Sequence, residues 1–265
     1  MSRKVVFVTG ASNVTGRAIA IAFAKAGYDV GFTYTSNEQG AIDTLKEIEA
    51  AGGKGKYYYM NIRDLEASRK TLREFVAEFG AMDAMINNTG ITTVWRMLDV
   101  TEEDFNMLSE INIRGTYFMM QEAAKIMIEN EKKGFIINIT STHAKGTFFG
   151  SSVYAMTKAA ISRMTRSCAL ELAPYGITVN AFAPGHVNML SSPNYTPERI
   201  EKEKEGYAKI SVQQPLHRWQ YPEEIGQCIV FLASEAARFI VGETIFADGG
   251  IRIPLTTDLG WEEKR

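Results

Sequence analysis

Seven short runs rich in β-branched and aromatic residues, at 5–9, 30–34, 56–60, 84–87, 135–140, 178–182 and 244–247, alternate with longer stretches of helical periodicity at 16–26, 38–51, 65–79, 102–130, 153–173 and 222–233. Near-continuous apolar strands separated by helix-length segments specify a parallel sheet. Parallel neighbours need a long crossover, and helices on both faces bury both sides of each strand. The crossovers are expected to be right-handed. The expected fold is α/β, a doubly wound parallel sheet of about seven strands with helices on both faces. At 265 residues, with no Pro/Gly/Ser linker, the chain is expected to form one domain over 1–265.

Composition narrows the classes of function. Apolar residues make up 45% and charged residues 23% of the chain, which excludes a disordered or collagenous protein. A formal charge of −2 offers no basic field, so neither nucleic acid nor an anionic membrane is an expected partner. The apolar run at 5–8 is too short for a signal-peptide core, and no stretch of about twenty apolar residues occurs. Cys168 and Cys228 form no CxxC pair and read as reduced thiols, consistent with a cytoplasmic protein. No metal site is expected.

Two departures from the alternation stand out. Residues 186–221 carry Pro193, Pro197, Pro215 and a charged run from 198 to 205. They read as a substrate lid, because they follow a strand end, or else as a solvated helix with loops. The tail 251–265 contains Ile251, Ile253, Leu255, Leu259 and Trp261, which suits an interface more than a frayed end. The long stretches 102–130 and 153–173 are further candidates for a subunit contact.

The first strand runs into Thr9-Gly10-Ala11-Ser12-Asn13-Val14-Thr15-Gly16, followed by a helix. Glycines at such a turn let backbone approach a pyrophosphate, while the helix N-terminus offers free N–H groups and a positive dipole end. The same glycines could also serve the turn alone. Further along, Tyr154 and Lys158 stand at i and i+4 and share one helix face. A phenol with a pKa near 10 is a poor proton partner at neutral pH unless a nearby cation stabilises its phenolate. Lys158, together with the positive ring of an oxidised cofactor, is placed to lower the pKa of Tyr154, although the pair taken alone reads more readily as a surface Tyr/Lys pair on an amphipathic helix.

From Lys4 to Gly250 the chain resembles the short-chain dehydrogenase/reductase family, whose fold is a Rossmann-type sheet. Thr9, Gly10 and Gly16 match the family's TGxxxGxG pattern, and Val14 stands where glycine is usual. Asn87-Asn88-Thr89-Gly90 is similar to its NNAG element, and Pro184-Gly185 to a turn beside the nicotinamide. Asn61 stands where an aspartate commonly meets the adenine, and Met189 where a threonine helps hold the cofactor. The resemblance implies a cofactor-binding set of Gly10, Ser12, Asn13, Gly16, Tyr34, Thr35, Asn61, Ile62, Asn88, Gly90, Tyr154, Lys158, Pro184, Gly185 and Val187.

The same resemblance implies a catalytic set of Asn112, Ser141, Tyr154 and Lys158. Ser141 ends the fifth strand thirteen residues before Tyr154, the family's spacing, and would donate to the substrate oxygen while Tyr154 transfers its proton. Asn112, locally unfavourable inside a helix, would perturb that helix and hold a water leading from Lys158 to solvent. The implied reaction is hydride transfer between a nicotinamide cofactor and a carbonyl or secondary alcohol.

The second strand ends in Tyr34-Thr35-Ser36-Asn37 without an acid, which favours NADP(H) modestly over NAD(H). Arg17 is the nearest candidate for a 2′-phosphate, and equally a plain exposed helix arginine. Trp95, Phe148, Phe149, Tyr207 and Trp219 suggest an apolar or ring-bearing substrate, and His143 is a candidate contact for a polar substituent. A 3-oxoacyl-[acyl-carrier-protein] reductase is the alternative within the class. Lys132 and Lys133 suit it, whereas Phe135 and Pro174-Tyr175 replace its usual arginines. A non-catalytic dinucleotide-binding regulator is the alternative of another class. A homo-oligomer, tetramer or dimer, is implied.

Overall fold

In the computed structural model, residues 3–190, 192 and 195–253 are described, with side chains except at 209–213. Seven strands form one sheet: β1 (Lys4–Val8), β2 (Tyr28–Tyr34), β3 (Gly55–Tyr59), β4 (Ala84–Asn87), β5 (Phe135–Ile139), β6 (Thr178–Pro184) and β7 (Thr244–Ala247). Their order is β3-β2-β1-β4-β5-β6-β7, and every neighbouring pair is parallel. The crossovers are α1 (Val14–Lys25), α2 (Glu38–Ala50), α3 (Leu65–Phe79), α4 (Glu102–Leu108) with α5 (Thr116–Glu129), α6 (Ser152–Leu172), and α7 (Pro197–Gln213) with α8 (Pro222–Leu232).

The two-residue repeat of the strands assigns the two cores. Val6 and Val8 point into a cluster with Ile19 and Phe23 of α1 and Ile225 and Ile229 of α8. Val5 and Phe7 point the other way, onto Leu72 and Phe75 of α3 and Met119 and Met120 of α5. Gly31 permits the second layer to close, since a Cβ there would stand 2.3 Å from the Phe75 ring. The strand order reverses about β1, which lies between β2 and β4, and that switch point opens a crevice at the carboxyl ends of the strands.

The stretch 102–130 is one helix in the sequence reading but three segments in the structure. α4 begins in a Thr101/Asp104 capping box, a π-helical stretch follows at Ser109–Gly115, and α5 completes the run. The cause is Asn112, which is fully buried. Its side-chain amide donates to Ile91 O at 2.9 Å and Thr157 Oγ1 at 3.1 Å, and its carbonyl oxygen accepts from Ile91 N at 2.9 Å. Those three bonds draw the residue out of regular α phase.

Segment 186–221 contains α7, so its charged run is helical. Ile251 and Ile253 belong to the turn after β7, whereas Leu255, Leu259 and Trp261 fall outside the described residues, as does Pro193. Among the described residues no helix is long and apolar enough to cross a membrane, and no cluster of potential metal ligands occurs.

A buried amide chain ties the elements beneath the crevice. Asn87 Nδ2 of β4 donates to Asn138 Oδ1 of β5 at 2.8 Å, and Asn138 Nδ2 donates to Thr165 Oγ1 of α6 at 2.9 Å. Asn138→Leu strands the Asn87 donor without its partner. The expected cost is about 1–3 kcal/mol, read as a lower urea midpoint at equal slope. An unchanged midpoint would show that these amides are not coupled to folding.

Candidate active site

The crevice at the switch point has a volume of about 600 Å³. One end is built by the turn between β1 and α1. Gly10 sits at φ +69°, a conformation that favours glycine, and a Cβ at Gly16 would stand 2.1 Å from Gly10 O. Asn88 fastens this turn from β4, donating through Nδ2 to Thr9 O at 3.0 Å and Gly10 O at 2.9 Å. Thr9 Oγ1 accepts in return from the backbone N–H groups of Asn88 and Thr89.

Asn13 occupies the N-cap of α1 but makes no capping bond; its Oδ1 accepts from Asn37 Nδ2 at 2.8 Å instead. No acid lies in the first turn. The first N–H groups of α1 are thus left uncapped at the positive dipole end, beside Ser12, Asn13 and Gly16 in the crevice wall. This cradle fits a pyrophosphate.

Beyond it, Thr35 and Ser36 line the crevice. Tyr34, Asn61 and Ile62 stand beside the lining, not in it. Asn61 Oδ1 accepts from Arg63 N at 3.2 Å in the turn leading to α3, and Ile62 is buried against Gly115. Arg17 is ion-paired with Glu47.

The other end brings together residues from β5, α6 and the turn after β6. Ser141, Tyr154 and Lys158 share the lining with Gly90, Pro184, Gly185 and Val187. Asn112 lies behind them, and a Cβ on Gly90 would meet Asn112 Oδ1 at 3.2 Å and Lys158 Nζ at 3.4 Å. Lys158 Nζ donates to Ile139 O at 3.1 Å and stands 5.6 Å from the centre of the Tyr154 ring. Thr140 Oγ1 holds the Lys158 carbonyl at 2.7 Å, and Thr157 Oγ1 that of Tyr154 at 2.8 Å.

Burial governs the electrostatics of both groups. Burial pulls the Lys158 ammonium down to about 8. Burial also pushes the Tyr154 phenol above its ordinary value, with the neighbouring Ser141 hydroxyl opposing that rise. Burial thus outweighs whatever stabilisation the neighbouring groups give the phenolate. The Lys158 ammonium is directed at the Ile139 carbonyl, and desolvation acts on both groups.

The comparisons with known proteins agree on one family. A family model described as enoyl-(acyl carrier protein) reductase matches residues 10–252. A short-chain dehydrogenase/reductase of Armillaria gallica is 35% identical over 254 residues, covering 94% of this chain and 95% of its own. The 3-oxoacyl-[acyl-carrier-protein] reductase of Staphylococcus aureus is 33% identical over 248 residues, covering 94% and 98%. The crystal structure of acetoin dehydrogenase from Enterobacter cloacae superposes with a TM-score of 0.83 at 32% identity, covering 95% and 96%.

The chain belongs to the short-chain dehydrogenase/reductase family.

It is accordingly a nicotinamide-dependent oxidoreductase acting between CH–OH and C=O groups, on a Rossmann-type sheet. In this short-chain dehydrogenase/reductase the aromatic expectations divide. Phe148 lines the crevice, whereas Phe149 is 83% exposed and Trp95, Tyr207 and Trp219 are outside the lining. Trp219 is buried and stacks on Tyr207 and on His186, behind the crevice wall. His143 is in the lining, and so is His186, which the sequence reading passed over. Its signal was its place directly after Pro184-Gly185.

Val14 is buried at the first position of α1, in the crevice wall, and Met189 lines the opposite end. The valine side chain occupies space where backbone would otherwise face the cofactor. Val14→Gly is expected to tighten NAD(P)H binding, measured by fluorescence titration; an unchanged Kd would show that the turn already accommodates valine.

Proposed function

We propose that this enzyme reduces a ketone to a secondary alcohol, or runs the reverse oxidation, with Ser141, Tyr154 and Lys158 as catalytic residues and Asn112 as their positioning residue. The observation that carries the reading is the convergence of those first three side chains in one crevice with an uncapped helix N-terminus at its other end. A bound nicotinamide supplies or accepts the hydride. Ser141 Oγ donates to the substrate oxygen, fixing the carbonyl carbon in place. Tyr154, whose raised pKa keeps it protonated, gives its proton to that oxygen as the carbon is reduced. Lys158 holds positive charge beneath the phenol, favouring the phenolate left behind. Lys158 would also hold the nicotinamide ribose hydroxyls.

Tyr154→Phe is expected to lower kcat by about 10³-fold while NAD(P)H still quenches protein fluorescence; retained turnover would refute the assignment. The pH dependence follows from Lys158. An ammonium is charged below its pKa, so with a value near 8 the cation is present at neutral pH and lost above. For ketone reduction, kcat/KM is expected to fall as pH rises through about 8, and a flat profile to pH 10 would remove Lys158 from the titrating role.

For the cofactor we favour NADP(H). The support is the lining by Thr35 and Ser36 with no carboxylate among the described lining residues, while Glu38 is hydrogen-bonded with the Tyr34 hydroxyl. The pairing of Arg17 with Glu47 means that a 2′-phosphate must draw Arg17 from that contact or rely on hydroxyl and amide donors. Tighter binding of NADPH than NADH is expected by titration; the opposite order reverses the preference. The substrate we propose is apolar or ring-bearing, on the exposed Phe148 ring in the wall.

The carrier-protein reductase is the second reading, supported by the Staphylococcus aureus relative. Against it, Lys132 is held by Asp83 at 3.3 Å, and Phe135 is buried. One catalytic domain in a homo-oligomer, with residues 186–221 as its lid, completes the proposal. It would work in the cytoplasm, in keeping with two free thiols.

A further inference from the structure

Two asparagines stand at helix N-caps beside the cofactor end of the crevice, and they behave in opposite ways. Asn37 caps α2, its Oδ1 accepting from Gly40 N at 3.0 Å. Asn13 holds the same position on α1, with extended backbone at φ −131° and ψ 166°. Its carbonyl already accepts the first helical bond, from Arg17 N at 2.8 Å. A cap residue in that conformation needs only a side-chain rotation to offer its oxygen to the second or third N–H of the helix, here Thr15 or Gly16. Asn13 makes no such bond.

The structure shows what holds it off. With Oδ1 of Asn37 committed to Gly40, the amide orientation is fixed and Nδ2 is left as the donor. That Nδ2 donates to Asn13 Oδ1 at 2.8 Å and to Ser12 O at 3.2 Å. The first turn of α2 lies close enough for this because residue 40 is glycine, where a Cβ would stand 2.2 Å from Ser12 O. The neighbouring residues are gripped from the same side. Gly10 N donates to Thr33 Oγ1 and Ala11 N to Thr33 O, each at 2.9 Å, and Thr44 Oγ1 donates to Ala11 O at 2.9 Å. Those bonds brace backbone, whereas the bond to Asn13 takes a side-chain oxygen that has a competing use.

We propose that Asn37 is a positioning residue for the nicotinamide cofactor: it draws the Asn13 oxygen away from the N-terminus of α1 and so keeps those N–H groups open for the pyrophosphate. A self-cap by Asn13 and a bound phosphate would satisfy the same donors, so each excludes the other. The requirement for a nicotinamide cofactor comes from the family. The inference rests on the reading that the turn between β1 and α1 receives the pyrophosphate.

A double-mutant cycle tests it. Serine caps a helix as well as asparagine but carries no amide donor, so Asn37→Ser keeps α2 capped and releases Asn13. Asn37→Thr, a second capping residue without the amide, is expected to behave alike. Alanine cannot cap, so Asn13→Ala removes the competing oxygen. The Kd of NADPH is measured by fluorescence titration for the wild type, each single variant and the double variant. Asn37→Ser is expected to raise Kd about fivefold in the wild-type background, the worth of one such cap, and to leave it unchanged in the Asn13→Ala background. A residue that merely braced the turn through Ser12 would cost the same in both. Hydrogen exchange of the cofactor-free protein gives a second readout. The amides of Thr15 and Gly16 are expected to exchange more slowly in Asn37→Ser than in the wild type, because Asn13 now covers them, whereas a loosened turn would expose them. An equal loss in both backgrounds, no change in either, or faster exchange overturns this inference alone. If NADPH fails to slow exchange at residues 14–16 of the wild type, the pyrophosphate reading falls as well.

Discussion

The Lys158 ammonium is the group around which the site is arranged. It is 4% exposed, and a buried cation is costly unless polar groups face it. The Ile139 carbonyl at the end of β5 supplies the hydrogen bond, and Gly90 leaves the space that the ammonium occupies. The hydroxyl of Thr140 fixes the lysine's own backbone. β4, β5, α6 and the Asn112 stretch thus converge on one charge. Ser141 and Tyr154 are held relative to each other by the same elements, so the geometry of the proposed catalytic residues and burial of the cation are one constraint.

The opposite end of the crevice is built differently. There the holding groups are neutral: the amides of Asn13, Asn37 and Asn88, the hydroxyls of Thr9 and Thr33, and the free N–H groups of α1. Directional hydrogen bonds define the turn, and the dipole of α1 contributes its positive end without a formal charge. Arg17, the one cation nearby in sequence, is held away by Glu47. A phosphate arriving there meets a preformed backbone surface.

The layered fold was legible because its signals are local. Strand runs such as 135–140 and 178–182 and the helical stretches between them needed only periodicity, whereas the grouping of Ser141, Tyr154 and Lys158 was expected from the family resemblance that their order and spacing carry. What escaped depends on partners far along the chain. A perturbed helix was expected at Asn112, but the bonds to Ile91 and Thr157 that accompany its π form cannot be read from the sequence around it. Arg17 reads as a free helix arginine until Glu47 is placed opposite it. His186 had a signal in its place after Pro184-Gly185, but its position in the crevice lining shows only once β6 is set beside β5. The raised pKa of Tyr154 depends on burial, which an i, i+4 pattern cannot report.

The π stretch at Ser109–Gly115 also changes how the two flanking helices are oriented. Each residue of an α-helix advances the side-chain direction by about 100°, and a wider turn accommodates an extra residue without lengthening the run by a full turn. The faces of α4 and α5 are therefore rotated out of phase by about that angle. The run carries two differently aimed surfaces, α5 keyed to the sheet and α4 packed beside α6. Removing a single residue from the stretch would realign the run and turn α4 from its place beside α6, so the chain's length at this point is itself a steric specification of how the two helices pack.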